Sequence, residues 1–132
     1  MKKILLLAFS IAILFTTSCK KDTVEPVDLS GTTWNGFANV PGLSLSNKAF
    51  VLTFNADGTL GGSFTNGSSF ALQGTWNLTP KSSTVRLFFT LASVSGNYVG
   101  QATLTTNNTK MESGVATNAT SPSANLDFTV SK

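Results

Sequence analysis

The sequence predicts an all-β domain that closes as a small barrel of eight antiparallel strands in up-and-down order. Three observations predict this fold. After residue 30, apolar residues alternate with other residues along most of the chain, which is the period of a half-buried strand. Turn-forming residues separate these segments at intervals of roughly 8 to 16 residues. After the first apolar run, no segment shows the periodicity of an amphipathic helix.

Each predicted strand points alternate residues to one face, which we assign to the interior. The inward residues, strand by strand, are Trp34, Gly36, Ala38 and Val40; Phe50, Leu52 and Phe54; Leu60, Gly62 and Phe64; Phe70, Leu72, Gly74, Trp76 and Leu78; Val85, Leu87, Phe89 and Leu91; Tyr98, Gly100, Ala102 and Leu104; Met111, Ser113 and Val115; and Leu126, Phe128 and Val130. Asp57-Gly58 supplies the positive φ of a tight hairpin between the second and third strands. Phe37 and Phe88 fall on the outward face, and Phe88 predicts that part of the fifth strand is covered from outside.

The barrel is favoured by the order of the strands and by their glycines. Sequential hairpins without a long crossover favour closure, because closure removes unpaired strand edges. Four inward glycines, Gly36, Gly62, Gly74 and Gly100, lie on four different strands. Glycine weakens a strand because it has no side chain to pack. In a small barrel, however, the missing side chain lets the strands coil sharply. A two-sheet β-sandwich with the same alternation is the alternative.

The chain divides into three parts. Residues 1–18 predict a signal peptide, since a short positive start precedes an apolar run that is shorter than the about 20 residues needed to span a bilayer. Residues 19–30 are rich in charge, contain a proline and have no regular period, which predicts a solvated tether. Residues 31–132 form the predicted barrel domain.

The segment Thr16-Thr17-Ser18-Cys19 resembles the lipobox of bacterial lipoproteins, and residues 18–22 are similar to the start of many lipoproteins from Bacteroidetes. The resemblance implies that Cys19 carries the lipid after cleavage and that the domain is anchored in the outer membrane, facing the periplasm or the outside. The cysteine count supports it, because the single thiol cannot form an internal disulfide and acylation removes its reactivity.

The barrel segment carries a second resemblance. Gly31-Thr32-Thr33-Trp34 is similar to the start of lipocalin-like barrels, and residues 51–76 resemble small lipocalin-like lipoproteins of Bacteroidetes. The resemblance covers most of residues 31–132. It implies a lipocalin-like fold and no particular activity.

The polar residues predict that the domain is not an enzyme. The chain has no histidine, and its one thiol is assigned to lipid, so the usual general base, zinc ligand and cysteine nucleophile are missing. The carboxylates of the domain are Asp57, used by its hairpin, and Glu112 and Asp127, which point outward. We therefore expect no catalytic residues, no metal and no cofactor.

Charge excludes nucleic acid as the expected partner. The chain contains 9 Lys and Arg against 6 Asp and Glu, and loss of Lys2 and Lys3 with the leader leaves 7 minus 6, a net charge of +1. The basic residues of the domain are scattered singly, whereas phosphate binding needs a patch.

Two functions remain, and they use different parts of the barrel. An eight-stranded barrel is wide enough to be filled by side chains or to hold one small ligand. The first function is binding of a small apolar ligand lined by Trp34, Phe54, Trp76 and Tyr98, although the two tryptophans also fit as core plugs. The second is contact with an envelope protein, as a hydrolase inhibitor or a surface-complex subunit, through the apolar loop that contains Leu43 and Leu45. This loop fits equally well as a lid over one barrel end.

Overall fold

The computed structural model describes residues 27–79, 82–92 and 94–132. The predicted signal peptide, Cys19 and most of the predicted tether lie outside the described residues. Eight strands and two short 3-10 helices follow in order: β1 Thr32–Val40, η1 Pro41–Leu43, β2 Leu45–Phe54, β3 Thr59–Asn66, β4 Ser68–Leu78, β5 Thr84–Leu91, β6 Val94–Leu104, β7 Lys110–Asn118, η2 Pro122–Ala124 and β8 Leu126–Ser131. Neither helix in these ranges has the length and apolar character needed to cross a membrane.

The strands form one closed barrel in which every neighbour in sequence is an antiparallel neighbour in space. Closure is made by β1 and β8, where Gly36 pairs with Val130 and Ala38 pairs with Phe128. The prediction of an eight-stranded up-and-down barrel is therefore confirmed, and the sandwich alternative is wrong.

The inward glycines let the strands coil closely. A Cβ added to Gly36 would overlap the carbonyl oxygen of Thr129 and lie 2.7 Å from the Cα of Val130, on the strand that closes the barrel. Gly62 and Gly74 approach the backbones of β2 and β5 in the same way. These positions have no room for a side chain. Glycine there permits the close approach of strands that the sequence predicted.

The two ends of the barrel differ. The connections β1–β2, β3–β4, β5–β6 and β7–β8 lie at one end, which we call the loop end and which includes η1 and η2. The two short helices pack together there, since a Cβ on Gly42 would lie 2.6 Å from the carbonyl oxygen of Ser123. The opposite end holds residues 27–31 and is called the N-terminal end.

Leu29 closes the N-terminal end. Its side chain is 1% exposed and belongs to the core, and Val27 packs against the same core. The carbonyl oxygen of Leu29 accepts hydrogen bonds from the backbone N–H and the hydroxyl of Thr32, at 3.2 and 2.5 Å. The folded part thus includes Leu29, which the sequence analysis placed in the tether, because a leucine at the barrel mouth buries apolar surface.

The predicted inward face of β7 is wrong after Met111. Gly114 and Ala116 point inward, whereas Ser113 and Val115 are exposed. A β-bulge causes the change: residues 112 and 113 together oppose Thr129, and Ser113 adopts a left-handed φ of 51°. One extra residue reverses the alternation for the rest of a strand.

Asn118 organises the loop end. Its Oδ1 accepts hydrogen bonds from the backbone N–H groups of Thr120 and Ser121, both at 2.9 Å, and from the Thr120 hydroxyl at 3.1 Å. Its Nδ2 donates to the carbonyl oxygen of Ser95 at 3.1 Å. Asn118 is the one polar residue among the buried side chains of the described part of the chain.

We expect Asn118→Ala to lower the free energy of unfolding by about 3 kcal/mol, because it leaves several hydrogen-bonding groups without their partner. Urea unfolding followed by tryptophan fluorescence measures the change. Asn77→Ala is the matched control: Asn77 is exposed on β4 and should change stability by less than about 0.5 kcal/mol. Equal effects of the two variants would contradict the assigned role of Asn118.

Candidate functional site

The interior contains three of the four residues predicted to line a ligand. Trp34, Phe54 and Tyr98 are each at most 2% exposed and belong to one core cluster. Trp76, the fourth, lies at the margin of this cluster and is partly buried. Its indole N–H donates to the carbonyl oxygen of Asn55 at 3.3 Å, at the N-terminal end.

Aromatic rings pack in two groups along the barrel interior. Phe54 makes edge contacts with Trp34 and Trp76, with ring centroids 6.4 and 5.4 Å apart. Phe89 stacks on Tyr98 at 4.9 Å with an angle of 2° between the rings. Phe50 lies 6.4 Å from Phe89, so this second group of rings extends from the middle of the barrel toward the loop end. These spacings are those of packed aromatic pairs and leave no room for a ligand between the rings.

Two concavities of the described part of the chain open on the outer wall of the barrel. One, of about 280 Å³, lies beside Phe88 and Val99 on β5 and β6. The other, of about 440 Å³, runs along β8 between Phe37 and Val115 and is called the β8 groove. The predicted ligand-lining residues contribute to neither.

The predicted interaction loop is partly exposed. Leu43, in η1, has 53% of its surface exposed at the loop end. Leu45 is only partly accessible and packs against the core from the start of β2. The two leucines therefore do not act together, since Leu45 anchors the loop and Leu43 is available for contact.

The carboxylates of the barrel are apart from one another. Oδ1 of Asp57 accepts hydrogen bonds from the backbone N–H and the hydroxyl of Thr59, at 2.9 and 2.6 Å, and these bonds lower the pKa of the carboxyl group. Glu112 pairs with Lys110 at 2.8 Å on the surface. Asp127 is exposed and lines the β8 groove. Among the described residues, no group of three or more acidic or cysteine side chains has the arrangement of a metal site.

The sequence pattern did not predict the β8 groove. Its floor is the outward face of β8, where Asp127 and Thr129 carry short polar side chains. Phe37, which is 60% exposed, forms one wall, and Val115 forms part of the other. The outward phase of Phe37 was visible in the sequence, but the outward position of Val115 depends on the bulge in β7.

Comparisons with known proteins found no matching protein-family model, no matching curated protein and no matching solved structure.

Proposed function

We propose that this protein is a lipid-anchored, lipocalin-like β-barrel of the bacterial outer membrane that binds an envelope partner through its exterior and catalyses no reaction. The observation that carries the proposal is the packed aromatic interior, from Trp34 near the N-terminal end to Phe89 and Tyr98 toward the loop end. A filled barrel leaves the outer wall and the loop end for binding. Binding of a small apolar ligand inside the barrel is supported less well, because it requires these rings to move apart.

Exposed apolar side chains support action through the exterior. Phe37, Leu43, Phe88, Val99 and Val115 each have 45% or more of their surface exposed. Among the described residues, none covers Phe88. The sequence had predicted that part of the outer side of its strand is covered. Large exposed apolar groups are typical of interaction surfaces when they lie close together.

The chain direction supports a defined orientation on the membrane. Cys19 precedes Val27 by eight residues, which span at most about 28 Å when fully extended. The N-terminal end, where Leu29 is buried, therefore stays near the lipid surface. This tether permits an orientation in which the loop end, with Leu43, faces away from the membrane.

The anchor has a direct test. Cys19→Ser should abolish incorporation of radiolabelled palmitate and move the protein from the detergent phase to the aqueous phase, because the thiol is the attachment site. Ser18→Ala serves as the control, since a small residue is kept before the cysteine. Absence of label in the unchanged protein would contradict the anchor while leaving the fold intact.

The contact surface has a separate test. We expect a photo-crosslinking amino acid at position 43 to form one dominant adduct with a protein of the envelope, whereas the same group at position 107, in the β6–β7 turn at the N-terminal end, should not. Leu43→Asp, with the crosslinker moved to position 44, should abolish that adduct. Equal labelling from positions 43 and 107 would contradict a contact at the loop end.

A further inference from the structure

The β8 groove brings side chains from four strands into one line. In one row across the barrel, Val115 on β7 pairs with Asp127 on β8, which pairs with Asn39 on β1. In the next row, Thr129 on β8 pairs with Phe37 on β1. Asn47 of β2 lines the same groove. The result is an open channel with an aromatic wall and polar groups along its floor and one end.

Two bulges flank this groove. On β7 the extra residue is at Ser113, and on β2 residues 46 and 47 are both accommodated opposite Asn39. Ser113 and Asn47 both have a φ of 51°, in the left-handed region that costs a non-glycine residue about 1 kcal/mol or more. Bulges occur often beside binding sites, where they redirect side chains. Here the bulge on β7 turns Val115 outward, and the bulge on β2 brings the backbone N–H of Asn47 to Oδ1 of Asn39 at 2.9 Å.

Most polar side-chain groups of the groove are available for a ligand. Within the described residues, Asp127, Thr129 and the side-chain amide of Asn47 form no side-chain hydrogen bond. Asn39 uses only its Oδ1, so its Nδ2 remains free to donate. The groove therefore offers a carboxylate acceptor, a hydroxyl and amide donors beside one exposed aromatic ring.

We propose that the β8 groove binds a neutral saccharide. A pyranose has one face of C–H groups, which packs on an aromatic ring such as Phe37, and an edge of adjacent hydroxyls. The Asp127 carboxylate can accept hydrogen bonds from such hydroxyls, and the free Nδ2 of Asn39 can donate to them. The volume of about 440 Å³ is within the range of small-molecule sites, about 300 to 1,000 Å³. The open form of the groove suits a ring within a longer glycan.

The residues of the groove disfavour the two charged ligand classes. No lysine or arginine lines it, and Asp127 would repel a phosphate or carboxylate. A cation would be attracted by Asp127 and Phe37, but it would make no use of the amide N–H groups of Asn39 and Asn47. A neutral polyol uses all of these groups. The site is distinct from the Leu43 loop and does not depend on the membrane anchor.

The test is saturation-transfer NMR on the full chain, solubilised in an amine-oxide detergent that contains no sugar. The probes are methyl glycosides of glucose, galactose, mannose and N-acetylglucosamine, together with cellobiose and maltose, each at about 20 mM, above the millimolar affinity of a small site. Spermidine and inorganic phosphate represent the charged classes. We expect saturation of the C–H protons of at least one sugar.

Phe37→Ala should weaken this binding by about fivefold or more, which is the loss expected for one aromatic contact. Asp127→Ala should weaken it to a similar degree. Phe88→Ala is the matched control, because Phe88 is also an exposed phenylalanine but lies outside the groove. No saturation of any of these sugars, equal binding by Phe37→Ala and the unchanged protein, or binding of spermidine or phosphate alone would overturn the proposal. None of these results would affect the crosslinks expected from position 43.

Discussion

Gly36→Ala is expected to lower the free energy of unfolding by about 3 kcal/mol or more. The added methyl would overlap the carbonyl oxygen of Thr129 and approach the Cα of Val130 to 2.7 Å, on the strand that closes the barrel. Neither group is the end of a flexible side chain, so the backbones of β1 and β8 must separate. Forcing atoms into a packed site costs about 1 to 3 kcal/mol, and more where the backbone has to move. Chemical unfolding measured by circular dichroism tests this value.

Gly61→Ala is the control for Gly36→Ala. Gly61 is also a strand glycine, but the nearest atom to an added Cβ is a side-chain carbon of Thr53 at 3.9 Å. We expect this variant to be neutral or more stable by up to about 1 kcal/mol, because alanine restricts the unfolded chain. Similar losses in both variants would show that the cost arises from strand glycines in general and not from barrel closure.

Phe50→Ala is expected to cost about 3 to 5 kcal/mol, the cost of truncating a fully buried aromatic residue. Phe50 is completely buried, and its ring lies 5.1 Å from Phe128 and 6.4 Å from Phe89. Removing it opens a cavity in the middle of the aromatic core. Phe37→Ala is the matched control, since Phe37 is mostly exposed and its loss should cost less than about 0.5 kcal/mol.

The cavity left by Phe50→Ala also gives a binding signal. An engineered cavity lined by apolar groups stays dry and takes up small apolar guests such as xenon or benzene. We therefore expect xenon to bind Phe50→Ala and to raise its melting temperature, and to do neither for the unchanged protein. Uptake of xenon by both proteins would show that the natural barrel already contains a cavity.

The barrel could be predicted from the sequence because the residues that specify its strands and turns are close together in the chain. Alternation places inward residues on every strand, and hairpin turns such as Asp57-Gly58 fix which strands are neighbours. The predicted inward residues were correct for seven strands and for the start of β7, with Phe70, Trp76 and Leu78 of β4 only partly enclosed. An even number of strands joined by short hairpins then leaves closure as the way to remove free edges.

The features that escaped prediction depend on contacts between distant residues. The bulge at Ser113 shifts the pairing register of β7 with both β6 and β8. Nothing in the sequence around it interrupts the alternation. Leu29 follows a charged segment, and only the position of the barrel mouth explains its burial. The β8 groove depends on Phe37 and Val115, which are 78 residues apart (115 minus 37), and on the bulge that turns Val115 outward.

The central claim is that the interior is filled by the protein's own side chains, and thermal unfolding of the unchanged protein with a series of apolar compounds tests it most directly. The series should run from benzene and indole to medium-chain fatty acids. A ligand that binds only the folded state stabilises it by about 2.7 kcal/mol at a hundredfold excess over its Kd, which raises Tm by several degrees. We predict no rise in Tm for any compound. A rise that disappears in Tyr98→Ala, compared with a Tyr98→Phe control, would show a ligand inside the barrel and contradict the account.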